Sequence, residues 1–489
     1  MTLARRLGRG SVIYLVATVL PRGLAFFLLP LYTRLLSPED YGTLTVVTAL
    51  TGVLAILFTL SSHSAITRHY FDLRDDPPAW RRFCGSILAF MFLLSASAGT
   101  LLLLFGEPLL RPLLGDIPFL PYVALGIAAA MLQPFFQTLL AVLQVKEQPG
   151  RYAFFSVLQF LLNLGLILLL VVGLGWHAEG PLMAALLTAV VFFGVTIYGL
   201  RRDAVVDLDR GALSRSLAYS LPIIPHALAG QIQAIADKLL INNLISTASA
   251  GIYNVGYLFG SIMMIVTESI NRAYVPVAMR ALKGNAEAEL RELQRAGLML
   301  VAGYALLALL LSLFAPEIIA LVTARAFHDG HVVVPYIAFG GVANGIYLLL
   351  VNVLFFAPNA TRLIPLGTLV GAGSNVVFNL LLIPHWGMSG AAVAALASQS
   401  LTAVFIGWIA RRHEPLPWDY TRMAGVVGVC FAVALVVAHS AFDGWFVALA
   451  VKLAAFVVAV ATVGLIAWGE PWRLPRLALH ALRQAADRR

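Results

Sequence analysis

Charge is scarce in this sequence. Asp, Glu, Lys and Arg together make 12% of its 489 residues, against 60% hydrophobic, and the mean hydropathy is +0.88. A soluble globular chain carries roughly 25% charged residues, so this composition excludes one and points to an all-α polytopic membrane protein. Cysteine is nearly absent. Cys84 and Cys430 stand far apart with no ligand or redox spacing, and both read as packing residues. The net charge of +9 would suit nucleic acid only if the basic residues gathered on one soluble face. They are scattered among loops, which argues against nucleic acid. The N-terminal MTLARRLGRG followed by an apolar run imitates a secretory signal but lacks a small-residue cleavage site, so it reads as an uncleaved first span.

Apolar runs, by contrast, are abundant. About 14 candidate helices fall near 11–36, 41–63, 83–106, 118–143, 152–174, 180–200, 216–245, 250–271, 296–323, 332–357, 362–383, 387–410, 421–439 and 444–468. The loops on one side carry the arginines, among them Arg5, Arg6, Arg81, Arg82, Arg201, Arg202, Arg411 and Arg412, while the opposite loops offer Arg111 and Arg325. By the positive-inside rule both termini are then cytoplasmic, which an even number of spans requires.

The chain repeats itself. Ser37 to Gly42 matches Ser246 to Gly251, Pro121-Tyr122 matches Pro335-Tyr336, Trp176 and Gly180 match Trp386 and Gly390, and Arg201-Arg202 matches Arg411-Arg412. This predicts two parallel-repeat six-helix lobes, 1–200 and 216–412, joined by a cytoplasmic linker at 201–215. Two extra C-terminal helices lie in 413–470, and 471–489 forms a basic amphipathic tail at the inner interface. Six spans per lobe gives both lobes one orientation, as in transporters that rock two bundles about a central site. Residues 272–295 form a cytoplasmic connection, helical around AEAELRELQR.

Few ionisable residues fall inside the spans: Arg22, Arg34, Asp237, Lys238, Glu268 and Lys452. Arg22, in the broken run Pro21-Arg22-Gly23, sits ~22 Å below the outer helix end and needs a protein or aqueous environment. Arg34 either snorkels or lines the cavity. Asp237 either neutralises Arg22 or Arg34 or takes part in ion coupling. Gln231 aligns with Arg22 in the second repeat, in a helix broken by Pro222 and Pro225. Arg22, Arg34, Gln231 and Lys238 are therefore the candidate binding residues and Asp237 the candidate coupling residue, for a ligand that is anionic on the balance of interior charge. No metal ligand set or catalytic residue is expected. Glu39 and Asp40 after Ser37-Pro38 read as the cap of the second helix, and Lys452 as a snorkelling or lipid-contacting lysine.

The segments LLPLYTRLLSPEDYGTLTVV, IADKLLINNLISTASAGIYNVGYL and NLLLIPHWGMSGAAVAALAS resemble those of the bacterial polysaccharide flippases. These form the O-antigen and exopolysaccharide branch of the multidrug/oligosaccharidyl-lipid/polysaccharide exporter superfamily. The resemblance implies a V-shaped pair of six-helix lobes in the bacterial inner membrane. It also implies an activity: moving an undecaprenyl-pyrophosphate-linked oligosaccharide from inner to outer leaflet by alternating access. Arg22 lies where related flippases of lipid-linked precursors carry cationic cavity residues. The partners implied are the polyprenyl-pyrophosphate-linked glycan, membrane lipids, and polysaccharide polymerase or assembly proteins. No cofactor is implied, and coupling to protons, sodium or membrane potential stays open. The competing readings are a cation-coupled multidrug exporter of the same superfamily and a lipid-linked-sugar glycosyltransferase or ligase.

Overall fold

A computed structural model describes residues 26, 28–284, 286–356, 362–413, 418–440 and 444–468. All regular structure among them is helical. A helical stretch over 28–35 (α1) leads into α2 (Pro38–Thr59), α3 (His63–Leu73), α4 (Pro77–Leu114), α5 (Ala124–Val145), α6 (Pro149–Ile167) and α7 (Glu179–Leu200). There follow α8 (Arg210–Ser220), α9 (Ile224–Leu244), α10 (Thr247–Gly284), α11 (Glu287–Val322), α12 (Val334–Phe356), α13 (Ile364–His413), α14 (Tyr420–Ala438) and α15 (Trp445–Trp468). Among the described residues, 11 helical segments are long and apolar enough to cross a membrane, so this is a multi-pass membrane protein.

The expected spans map closely onto these helices, with three differences. The stretch 11–36 lies outside the described residues except for 26 and 28–36. The stretch 216–245 is broken in two: Pro222 and Pro225 remove backbone donors, and the chain makes a short 3-10 turn at Leu221–Ile223 between α8 and α9. The stretches 362–383 and 387–410 form the two arms of α13, separated at Gly387, whose φ of +58° suits glycine. The arms lie side by side, since Asn375 Nδ2 donates to Ser398 Oγ at 3.4 Å.

The chain forms two compact units, Met1–Ile252 and Tyr253–Arg489. The division falls after Ile252, within α10, rather than in the linker at 201–215. Helix α9 packs against α2 and α4 in the first unit. Asn242 and Asn243 explain part of this placement: their side chains donate to the carbonyls of Leu114 and Leu113 at 2.8 and 2.9 Å. Those carbonyls end α4 and have no partner within it.

Equivalent segments make equivalent contacts. Ser37 caps α2 in a capping box with Asp40: the Asp40 backbone donates to Ser37 Oγ, and the Ser37 backbone to Asp40 Oδ2, both at 3.1 Å. Ser246 accepts from the Ser249 backbone at 3.1 Å in the same way. Gly42 has the Thr247 carbonyl where a Cβ would sit, and Gly251 has that of Pro38, so the two repeated helix starts meet reciprocally. Within the first unit the Val205 carbonyl seats on Gly85 of α4; within the second the Trp418 ring seats on Gly297 of α11. Arg201 stacks on Tyr198 at 3.9 Å and Arg412 on Trp408 at 3.7 Å.

Candidate functional site

Helix α5 crosses the first unit with three glutamines on one face. Gln133, Gln137 and Gln144 are all exposed, although Phe119–Val145 is otherwise apolar enough to span a membrane. A primary amide carries two donors and a carbonyl acceptor, and in lipid these groups would go unsatisfied at a cost of several kcal/mol, roughly 2–7 per group. This face therefore looks into water. It lines a cavity of about 620 Å³ with the end of α2 (Ala55, Ile56, Thr59), the start of α3 (His63, Ser64, Thr67), Tyr152 of α6 and Tyr219 of α8.

Among the described residues the lining contains hydroxyls, amides, one imidazole and two phenols, and no Asp, Glu, Lys or Arg. Such a surface offers directional hydrogen bonds without selecting for ionic charge. It suits a hydroxyl-rich, uncharged ligand. His63 begins the short amphipathic helix that follows the α2 span, and burial pushes its imidazole below the ordinary value. Among the described residues no three His, Cys, Asp or Glu side chains converge to hold a metal ion.

Of the five residues expected from sequence, Arg34, Gln231, Asp237 and Lys238 are not among the described residues that line this cavity. Arg22 lies outside the described residues. Arg34 is exposed near the end of α1, without an ion-pair partner among the described residues. The other three share α9, where Gln231 lies over Gly52 of α2, the glycine leaving room for its amide. Asp237 is 2% exposed and Lys238 half-buried. Gly52 stands one turn before Ala55 and Ile56, so α2 carries both the α9 contact and the cavity wall.

Residues 7–282 match the family described as polysaccharide biosynthesis protein, more than half of the chain. The chain belongs to that family. Among curated relatives, "Lsg locus putative protein 1" of Haemophilus influenzae is 24% identical over 284 residues, which is 56% of this chain and 66% of the relative. An "uncharacterized membrane protein" of the same organism is 24% identical over 297 residues, covering 60% and 69%. The chain thus spans about two thirds of the length of these relatives. The fold is shared with the lipid II flippase MurJ in an inward closed conformation, with a TM-score of 0.66, 12% identity, and 93% and 99% of the two chains covered. It is shared also with an inward-facing multidrug resistance MATE transporter of the MOP superfamily, with a TM-score of 0.62, 16% identity, and 81% and 97% covered.

In this polysaccharide biosynthesis protein the cavity glutamines carry no charge, so the pattern of interior charge does not point to them. The signal was there: amides spaced i, i+4 and i+11 fall on one helical face of an otherwise apolar run. Asp40, by contrast, is occupied in the α2 cap, as expected. Lys452 departs from the expectation of a snorkelling or lipid-contacting lysine. It neither snorkels nor meets lipid; it is 5% exposed and forms an ion pair with Glu317 of α11. The pair lines a cavity of about 440 Å³ between α11, α14 and α15 in the second unit. Glu317 escaped notice because it stands near the helix end, beside Pro316.

Proposed function

We propose that this protein is a flippase that carries a polyprenyl-pyrophosphate-linked oligosaccharide across the bacterial inner membrane by alternating access, leaving the cargo chemically unchanged. The family supports a role in polysaccharide biosynthesis, and the fold supports transport. The observation that carries the reading is the uncharged, glutamine-lined cavity of the first unit, whose chemistry fits sugar hydroxyls. With the basic loops and both termini on the cytoplasmic side, the α3 end of this cavity faces the cytoplasm, where such a glycan would be collected. Undecaprenyl pyrophosphate is the carrier expected for an O-antigen or exopolysaccharide unit, and polymerase or assembly proteins would receive it on the other side. Arg22 is proposed as the diphosphate ligand and Asp237 as a coupling residue.

A cation-coupled drug exporter would favour carboxylates in its cavity, and the lining has none among the described residues. A glycosyltransferase built on Glu39 and Asp40 would need them accessible, yet Asp40 both caps α2 and lies 3.6 Å from His177. The test is uptake by inside-out vesicles of a labelled polyprenyl-pyrophosphate glycan alongside a cationic dye. Protein-dependent movement of the glycan supports the proposal. Movement of the dye alone would assign the chain to drug export.

A further inference from the structure

One wall of the glutamine-lined cavity comes from beyond the linker. Of the described residues that line it, Tyr219 alone follows residue 201 in sequence, and it lies in the last turn of α8. Pro222 and Pro225 interrupt the chain just after it, so α8 packs on α3 and α4 as an element separate from α9. The Tyr219 ring meets His69 of α3 edge-on, with centroids 6.2 Å apart. The seating of α8 is otherwise poor. Ser216 and Ser220, one turn apart on this helix, bury hydroxyls that have no hydrogen bond among the described residues, and a buried hydroxyl without a partner opposes the packing that buries it.

What fixes α8 is the linker, which is tied down along its length. Lys146, two residues after the cavity residue Gln144, forms a largely buried ion pair with Asp203. The Val205 backbone donates to the Arg81 carbonyl at 3.0 Å, and the Val205 carbonyl seats on Gly85. The Asp209 backbone donates to Oγ of the buried Ser86 at 3.1 Å. Its carboxylate accepts from the Gly211 backbone at 2.8 Å and caps α8. Residues 203–209 therefore run from the end of α5 over the first turns of α4 to the start of α8, and they set where α8 begins.

We propose that Tyr219 is a specificity residue for the glycan and that the linker is the strap that positions it, with Asp203 and Ser86 as positioning residues. The inference rests on the assignment of the cavity to the sugar. A phenol offers a donor, an acceptor and an apolar ring face, which fits a sugar with hydroxyls on its edge and C–H groups on its faces. The α5 glutamines supply hydrogen bonds from one wall, and Tyr219 adds a ring from another. Neither Asp203 nor Ser86 is among the described residues that line the cavity, so each acts through α8. A loosened strap leaves α8 with unpaired hydroxyls and no tether, and Tyr219 leaves the wall while the glutamines stay.

The test is the affinity of the purified protein for a labelled polyprenyl-pyrophosphate glycan and for the same lipid without sugar. Tyr219→Ala should weaken glycan binding about tenfold and leave the bare lipid unchanged, and Asp203→Asn and Ser86→Ala should each give part of that loss. Added to Tyr219→Ala, neither should weaken glycan binding further, because residues that act through one group are not additive. Asp203→Glu, which keeps the ion pair, should retain most of the wild-type affinity. Unaltered glycan binding in Tyr219→Ala, strap losses that add to it, or equal losses for both lipids would each overturn the proposal. Gln133→Ala/Gln137→Ala separates the two readings. If it too leaves glycan binding unaltered, the cavity assignment fails; if it alone weakens the glycan, only the role of Tyr219 and its strap falls.

Discussion

Gly42 rests on the backbone carbonyl of Thr247, with no room for a methyl group between them. Its repeat mate Gly251 meets the Pro38 carbonyl in the same way, so the start of α2 and the start of α10 close on each other at two glycines. Backbone cannot move aside as the end of a side chain can. Overpacking of this kind costs typically 1–3 kcal/mol. Gly42→Ala and Gly251→Ala should each lower the thermal midpoint of the purified protein and its membrane abundance. Gly165→Ala in α6, where a Cβ meets nothing within 4 Å, should do neither. Equal midpoints for all three would mean that this contact is not close.

The Glu317–Lys452 pair ties the C-terminal helices to α11. Lys452 has 7% of its side chain exposed and Glu317 40%, so the pair lies between surface pairs worth about 0–1 kcal/mol and buried pairs costing about 3–5 to break. Lys452→Met alone leaves a carboxylate whose Oε2 is already buried without a hydrogen bond. It should destabilise by about 2 kcal/mol. Glu317→Gln with Lys452→Met should recover most of that loss. A thermal-shift cycle over the four proteins checks this, and additive losses would show that the two residues are not coupled.

Burial holds the His63 imidazole neutral below its usual range. The unfolded chain takes up this proton as pH falls through ~6.5, while the folded chain resists until lower pH. The stability linked to His63 is therefore fully present above ~6.5 and declines as the solution is acidified. Thermal midpoints measured from pH 7.5 to 5 should fall less steeply in His63→Gln than in wild type. Parallel curves would contradict the assignment.

The amphipathic and apolar periodicities of this chain were legible almost helix by helix, because crossing a membrane leaves few alternatives for a run of apolar residues. Breaks were legible too: Pro222 and Pro225 interrupt the seventh span where donors are lost, and Ser37 and Ser246 cap where hydroxyls precede a helix. The site was harder. Charge points to Arg22, Arg34, Asp237 and Lys238, but side chains on one helix acquire a shared surface only through neighbours distant in sequence. The glutamine face of α5 becomes a cavity wall through α2, α3, Tyr152 and Tyr219, and nothing local in the sequence announces that enclosure. Lys452 was misplaced for the same reason, since its partner Glu317 is 135 residues away.

Arg22, proposed as the diphosphate ligand, makes a prediction separable from the sugar cavity. An arginine fork can bond two phosphate oxygens, whereas lysine supplies charge without that geometry. Arg22→Ala should weaken binding of bare polyprenyl pyrophosphate to the purified protein by about tenfold, and Arg22→Lys should retain part of it. Equal affinity in all three proteins would remove Arg22 from the ligand site.

The most direct test of the glutamine cavity compares the binding of a polyprenyl-pyrophosphate glycan with that of the same lipid lacking sugar, in wild type and in Gln133→Ala/Gln137→Ala. Neutral hydrogen bonds contribute about 0.5–1.5 kcal/mol each. The double variant should therefore bind the glycosylated lipid about tenfold more weakly or worse, with affinity for the bare lipid unchanged. An unaltered affinity for the glycan, or an equal loss for both lipids, would contradict the assignment of this cavity to the sugar.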